Sequence, residues 1–323
     1  MTPIPWTQFR DEFLSLYDPP MRAANTRSNM TYALRLVEAL GVQTTADLTA
    51  PLIGRLVASR PDGESGHTTF GILGRIRVAT RYAWTAGYLK VCPFQLRPLR
   101  RWVRVGPPAV GKHHARDEIK RVLALMAHDI MTSEGWVQWR ARRLYAVTAT
   151  VAYLALRRNE ALCAHVADLD LIGRIFWVRA HADGNRGKTA SSLAPVPIPD
   201  ALVPILTDWL EHREDRPAGW PLPADNPWLF PTCGRAGRSS PWTGGELGKR
   251  PLDRLQALAK RAGVDGMTWQ SLRRSWATHA EYHGLGPAMI QRVLRHTTPR
   301  TGELWYRTAD LPNLRAAVAG INF

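Results

Sequence analysis

Between Arg157 and Tyr306 the chain sets out, in order, an Arg-x-x-Glu pair (Arg157, Glu160), a lysine after glycine (Lys188), a Gln-x-x-Arg pair (Gln270, Arg273), a histidine (His296) and a tyrosine (Tyr306). Cleaving a phosphodiester without a metal needs a nucleophile, cationic donors for the non-bridging oxygens, an acid for the leaving oxygen, and exclusion of water. These residue types supply candidates for the first three. A guanidinium presents a planar fork that matches two phosphate oxygens. Arg157 and Glu160 are three apart, so on a helix they share a face and the carboxylate can hold the guanidinium in place. Gln270 can donate and accept hydrogen bonds but does not titrate near neutrality. Each residue also has an ordinary explanation: a surface ion pair for Arg157 and Glu160, a solvated hairpin side chain for Lys188, a packed ring for Tyr306. Gly187-Lys188-Thr189 is not a nucleotide phosphate loop, because Ala182 stands where that loop requires glycine.

The elements around these residues are mainly helical. Apolar spacing predicts helices over Trp6 to Tyr17, Thr31 to Leu40, a third capped by Asp47 or Thr49 with Pro51 in its first turn, and Thr68 to Ala86. These make a small bundle. Residues 93 to 115 break the pattern with prolines and glycines. From Arg97 to Arg116 they carry Arg97, Arg100, Arg101, Arg104 and Lys112 with no acidic residue. This reads as a basic linker suited to lie along a phosphate backbone. Further helices are expected over Asp117 to His128, Trp136 to Tyr153 and from Arg157. Short strands are expected at Asp168 to Leu171, Gly173 to Arg179 and Leu193 to Ile198, with a turn at Ala182 to Asn185. Asp200 to Glu214 returns to helix. Pro217 to Trp242 reads as a loop, and the remainder as helix broken near Gly263 to Gly266, Gly284 to Pro287 and Thr297 to Arg300. The expectation is a mainly α fold with a small antiparallel sheet in two domains: residues 1–95 helical, 96–115 linker, 116–323 catalytic.

Composition limits the partners. Of 323 residues, 45% are hydrophobic, enough for real cores. Lys plus Arg is 43 against 27 Asp plus Glu, a net charge of +16 dominated by arginine, which points to a polyanion. No 18-residue apolar run and no signal-peptide pattern is apparent, so a cytoplasmic, nucleoid-associated protein away from membranes is expected. Cys92, Cys163 and Cys233 are too scattered for a disulfide framework or zinc site and are expected as buried thiols. His279 and His283 stand four apart, but no third ligand is spaced to join them, so packing is expected. Trp269, Trp276 and Trp305 are expected to fill core around the site.

The ordered set resembles the tyrosine recombinase (phage integrase) family over nearly the whole chain, least tightly in residues 1 to 110. Ala155-Leu156-Arg157-Arg158-Asn159-Glu160-Ala161-Leu162 is similar to the family's Gly-Leu-Arg-x-x-Glu-Leu box, with alanine for glycine. Thr268 to Thr278 resembles the second box, with Gln270 where histidine is usual. Leu294-Arg295-His296-Thr297 resembles the Leu-Gly-His segment, with Arg295 for glycine. Tyr306 follows one residue later than the family spacing.

The resemblance implies that Tyr306 attacks a scissile phosphate. Arg157 and Arg273, aided by His296 and Gln270, neutralise the non-bridging oxygens, and Lys188 protonates the leaving 5′ oxygen. It implies duplex DNA as substrate, a tetramer on paired sites, and neither metal nor ATP. The tail from Leu311 to Ile321 is amphipathic and is expected to dock on a neighbouring subunit or fold back on its own core. A type IB topoisomerase-like enzyme and a DNA-binding relative without catalysis are the alternatives, the latter because of Gln270.

Overall fold

The computed structural model describes residues 2–18, 24–106, 111–181, 193–215, 225–232, 240, 242, 250–295 and 318, with the side chains of 24 and 96 left aside. The chain forms two compact units, Met1–Ala109 and Val110–Phe323.

The first unit is helical: α1 (Trp6–Ser15), α2 (Ala24–Glu38), α3 (Ala50–Ala58), α4 (Gly66–Thr85) and the single turn α5 (Pro93–Leu96). Each is explained by its own sequence. The Thr49 side chain accepts from the Leu52 backbone N–H, and Pro51 sits in the first turn of α3, where a missing N–H costs nothing. Ser65 caps α4. The apolar faces meet in one core built on Phe9, Phe13, Leu34, Val37, Leu52, Ile53, Leu73 and Ile76. Helix α2 starts at Ala24, a turn or more ahead of the expected Thr31. Its opening residues are polar, so no apolar period announces them, and no proline or glycine stops the helix from extending. Leu99 and Trp102 also join this core. The Arg97 guanidinium lies 4.6 Å from the Trp102 ring centre.

The second unit surrounds one long helix. Helix α6 (Arg116–Met131) packs along α7 (Gly135–Leu154). From Arg143 to Leu154 all but Tyr145 of α7 are buried, so this stretch reads as a continuous apolar run rather than a stripe. Arg143 is the charged exception: its guanidinium lies between Trp139 and Trp242, 4.6 and 3.7 Å from the ring centres, and donates to the Pro231 carbonyl. A short helix α8 (Arg158–Leu162) follows, then three strands, β1 (Leu169–Asp170), β2 (Ile175–Trp177) and β3 (Pro195–Pro197).

The sheet is antiparallel in the order β1-β2-β3, and Phe176 pairs with both Leu169 and Val196. Two prolines are tolerated in β3 because it is an edge strand. Helices α9 (Val203–His212), α10 (Pro251–Arg261), α11 (Trp269–Tyr282) and α12 (Pro287–Val293) complete the unit. Trp269 and Trp276 are buried, as expected; Trp305 lies outside the described residues. Cys92 and Cys163 are buried, while Cys233 lies outside the described residues. Among the described residues, no helix is long and apolar enough to cross a membrane.

Candidate functional site

The site begins where α7 ends. Ala155 takes a left-handed conformation, φ 49°, and stops the helix. The chain then turns through Leu156 so that Arg157 becomes the N-cap residue of α8. A left-handed C-cap is normally glycine's place, which explains why the related motif has glycine here. Glu160, on the first turn of α8, reaches back. Its Oε2 accepts from the Arg157 backbone N–H at 2.8 Å, and its Oε1 accepts from Arg157 Nη1 at 2.7 Å. One carboxylate thus caps the helix and fixes the guanidinium.

Helix α11 brings the second arginine. Thr268 caps it by accepting from the Ser271 backbone N–H. Gln270 is exposed on its first turn and Arg273 is buried one turn later. The opposite side of α11 is anchored from the start of this unit. The His114 backbone N–H donates to Ser275 Oγ at 2.8 Å, and its Nε2 lies 3.0 Å from Ser271 Oγ. His279 Nε2 donates to the His114 carbonyl at 3.0 Å, so His279 packs as expected, and no cluster able to hold a metal occurs among the described residues. Lys112 donates to the Asp265 carbonyl. Arg97, Arg100, Arg101 and Arg104 are exposed in the first unit.

Arg273, remote in sequence, therefore meets the Arg157–Glu160 pair. Arg273 Nη1 stands 3.8 Å from Glu160 Oε2 and donates to the Ala155 carbonyl, while its Nη2 donates to the Leu294 carbonyl. Arg157 Nη2 donates to the Arg295 carbonyl at 3.3 Å. A third guanidinium joins them: Arg295 Nη2 lies 2.6 Å from Glu160 Oε2, and its Nη1 donates to the Val293 carbonyl at 2.8 Å. Sequence reasoning marked Arg295 only as standing in for a glycine. The signal was present in that substitution, since Arg295 has φ 52°, again the left-handed region.

The electrostatics follow from burial. Desolvation pushes the Glu160 carboxyl up, but the Arg295 charge, the Arg157 N–H and the Arg157 guanidinium outweigh it and hold the group below its ordinary value. Desolvation, then the facing charges of Arg295 and Arg157, push Arg273 down, and Glu160 only partly opposes them. Arg157 keeps 30% of its side chain exposed, whereas Glu160, Arg273 and Arg295 are buried. The cluster is thus cationic and largely buried, with Arg157 its partly exposed member. Lys188, His296 and Tyr306 lie outside the described residues. So does the tail apart from Val318, which is buried in the same apolar cluster as Ala155, Trp276 and Leu294.

A mainly helical domain with a small antiparallel sheet, carrying this arginine–carboxylate cluster, has clear relatives. The phage integrase family profile matches residues 116–311, more than half of the chain, and the chain belongs to that family. Tyrosine recombinase XerD of Caulobacter vibrioides is 30% identical over 214 residues, covering 64% of this chain and 62% of that protein. Tyrosine recombinase XerA of Pyrococcus furiosus is 23% identical over 217 residues, covering 67% and 64%. The matched region thus spans a little under two thirds of these relatives. Among solved structures, the Tn1549 transposon integrase in complex with transposon right end DNA aligns with TM-score 0.68 at 16% identity, over 97% of this chain and 98% of that one. A λ integrase dimer bound to a COC′ core site aligns with TM-score 0.63 at 12% identity, over 100% and 80%. These likenesses concern the fold.

Proposed function

We propose that this protein is a site-specific DNA recombinase that cuts and rejoins duplex DNA through a 3′-phosphotyrosyl intermediate, without metal or ATP. The observation that carries the reading is the convergence of Arg157 and Arg273, from two different helices, on Glu160 in one cationic cluster that Arg157 opens to solvent. Arginine forks at such a place suit a phosphate whose charge grows during reaction. The Tyr306 oxygen forms a bond to phosphorus and the bond to the 5′ oxygen breaks. Lys188 gives its proton to that oxygen. His296 and Gln270 add hydrogen bonds to the phosphate. Since Gln270 does not titrate, the phenolic proton leaves to solvent. A partner strand's 5′ hydroxyl then reverses the step, and the phosphoester bond energy is retained throughout.

Duplex DNA would lie along the exposed arginines of residues 97–104 in the first unit. Recombination needs four copies on two sites, which makes a homotetramer on DNA the working assembly, acting on the nucleoid. Binding driven by these cations falls steeply with salt.

The test uses a duplex recovered by selection from a random-sequence pool and nicked beside the scissile phosphate, so that the cleaved end drifts away. The full chain should become covalently attached, and Tyr306→Phe should bind without attaching. Binding with no attachment by the wild-type chain would favour a non-catalytic DNA-binding protein. Attachment by single copies, with supercoil relaxation and no need for paired sites, would favour a topoisomerase-like activity.

A further inference from the structure

We propose that Arg295 is a positioning residue of the phosphate site: it occupies the inner oxygen of Glu160, keeps Arg273 from pairing closely with that carboxylate, and gives the cluster a surplus of positive charge that a bound phosphodiester offsets. This rests on the reading of the cluster as a phosphate site. It concerns a residue that stands where the related motif has glycine.

The backbone is the first observation. Arg295 holds φ 52°, a conformation that strains a side-chain-bearing residue and suits glycine. The side chain that accepts this strain is turned inward and 4% exposed. It is engaged at Nη2 by Glu160 and at Nη1 by the Val293 carbonyl. Its Nε is buried with no hydrogen-bond partner among the described residues. A long cationic side chain merely replacing glycine at the surface would point to water.

Competition for Glu160 is the second. Oε2 accepts from the Arg157 N–H and from Arg295, while Arg273 stands off at 3.8 Å. Charge-assisted hydrogen bonds to carboxylate form at about 2.7–2.9 Å, so Arg273 is near enough to be captured if that oxygen were vacated. With Arg295 in place, Arg273 is held instead by the Ala155 and Leu294 carbonyls. Both are neutral acceptors, and they add no negative charge to offset its own.

Charge is the third. Three guanidiniums share one carboxylate in the described cluster, a surplus of two positive charges in a largely buried place. Burying charge without a counterion is unfavourable, and an incoming anion relieves it. Arg295 also lies directly before His296, and its carbonyl accepts from Arg157. The guanidinium–carboxylate pair therefore ties the end of α12 to the α7–α8 turn.

The experiment compares an ordinary selected duplex with one whose scissile phosphate is a methylphosphonate, which lacks one charged oxygen. Arg295→Met keeps bulk and loses charge. Arg295→Lys keeps charge and loses the fork. Attachment rates are read on both duplexes, and equilibrium binding is read in a Tyr306→Phe background. We expect Arg295→Met to slow attachment to the phosphate duplex by about 10²-fold, the scale of a misplaced active-site group, and to lose much less on the methylphosphonate. Its preference for phosphate over methylphosphonate in binding should shrink, and Arg295→Lys should restore that preference in part.

A merely structural role would lower both duplexes by the same factor, and that outcome overturns the inference. So would wild-type rates in Arg295→Met, or failure of both variants to fold, which would make Arg295 a folding residue. If the wild-type chain never attaches, the catalytic reading falls separately, and the binding preference still decides the role of Arg295.

Discussion

Each unit of the molecule contains a carboxylate that gathers several partners, some of them from distant parts of the chain, and the two are partnered in opposite ways. In the first unit Glu12 accepts from the phenols of Tyr82 at 2.5 Å and Tyr88 at 3.2 Å. These donors are neutral, so the cluster stays anionic and satisfied, and it joins α1 to α4 and the segment after it. In the second unit Glu160 faces Arg157, Arg273 and Arg295. There the donors are charged and outnumber the acceptor. A carboxylate that only holds helices together needs no surplus charge. One that holds a phosphate site does, because its cations must outnumber their counterions until the ligand arrives. If the Glu160 cluster is the proposed phosphate site, charge balance rather than hydrogen-bond number sets it apart from the structural one.

Removing each carboxylate should break the comparison most sharply. Glu160→Ala leaves buried guanidiniums without their counterion and should destabilise the second unit by about 3–5 kcal/mol. Glu12→Ala leaves two half-buried phenols that water can reach, and should cost the first unit about 1–2 kcal/mol. Urea unfolding of the full chain, followed by probes in each unit, measures both. Equal losses would remove the distinction.

The pH responses should differ in sign. Glu160 sits below its ordinary value of 4.5, so the folded state binds its proton less readily than the unfolded chain. Its stabilisation is complete above 4.5 and disappears as pH falls through the depressed value. Tyr82 is pushed up, chiefly by its hydrogen bond to Glu12, from 10.0 to about 12. Its contribution is therefore complete below 10.0 and is lost as pH rises toward about 12. Glu160→Gln should flatten the acid limb of the second unit, and Tyr82→Phe the alkaline limb of the first, in denaturation midpoints taken across pH. The smallest effect is expected at Ala155. Replacing it by glycine relieves the left-handed backbone and should stabilise the second unit by at most about 1 kcal/mol. Ala155→Val should destabilise, because a branched side chain fits that conformation worst.

Most helices could be read from the sequence because their apolar residues recur at helical spacing, as from Phe9 to Phe13 or along Ile72, Leu73 and Ile76. The polar first turns of α2 carried no such signal. The strands were legible from β-rich residues between turns, although they are shorter than expected: β2 is Ile175–Trp177 within the expected Gly173 to Arg179. At the site, the Arg157–Glu160 pairing followed directly from i, i+3 spacing. The approach of Arg273 to Glu160 could be inferred only by resemblance, since no local rule joins residues so far apart. Arg295 was read as a departure from a motif and not as a partner of Glu160. Its contact depends on the end of α12 coming back to the α7–α8 turn, a tertiary fact that spacing does not encode. The same holds for His114, which closes on Ser271 and Ser275 from the start of the unit.

The central claim is that the arginines gathered by Glu160 act on a scissile phosphate. Arg158 provides an internal control, because it is adjacent to Arg157, exposed, and bonded to Asn159 rather than to the cluster. The rate of covalent attachment to a nicked duplex should fall about 10²- to 10³-fold in Arg157→Ala and in Arg273→Ala, with both variants still folded, and should be unchanged in Arg158→Ala. Equal rates in all three would contradict the account.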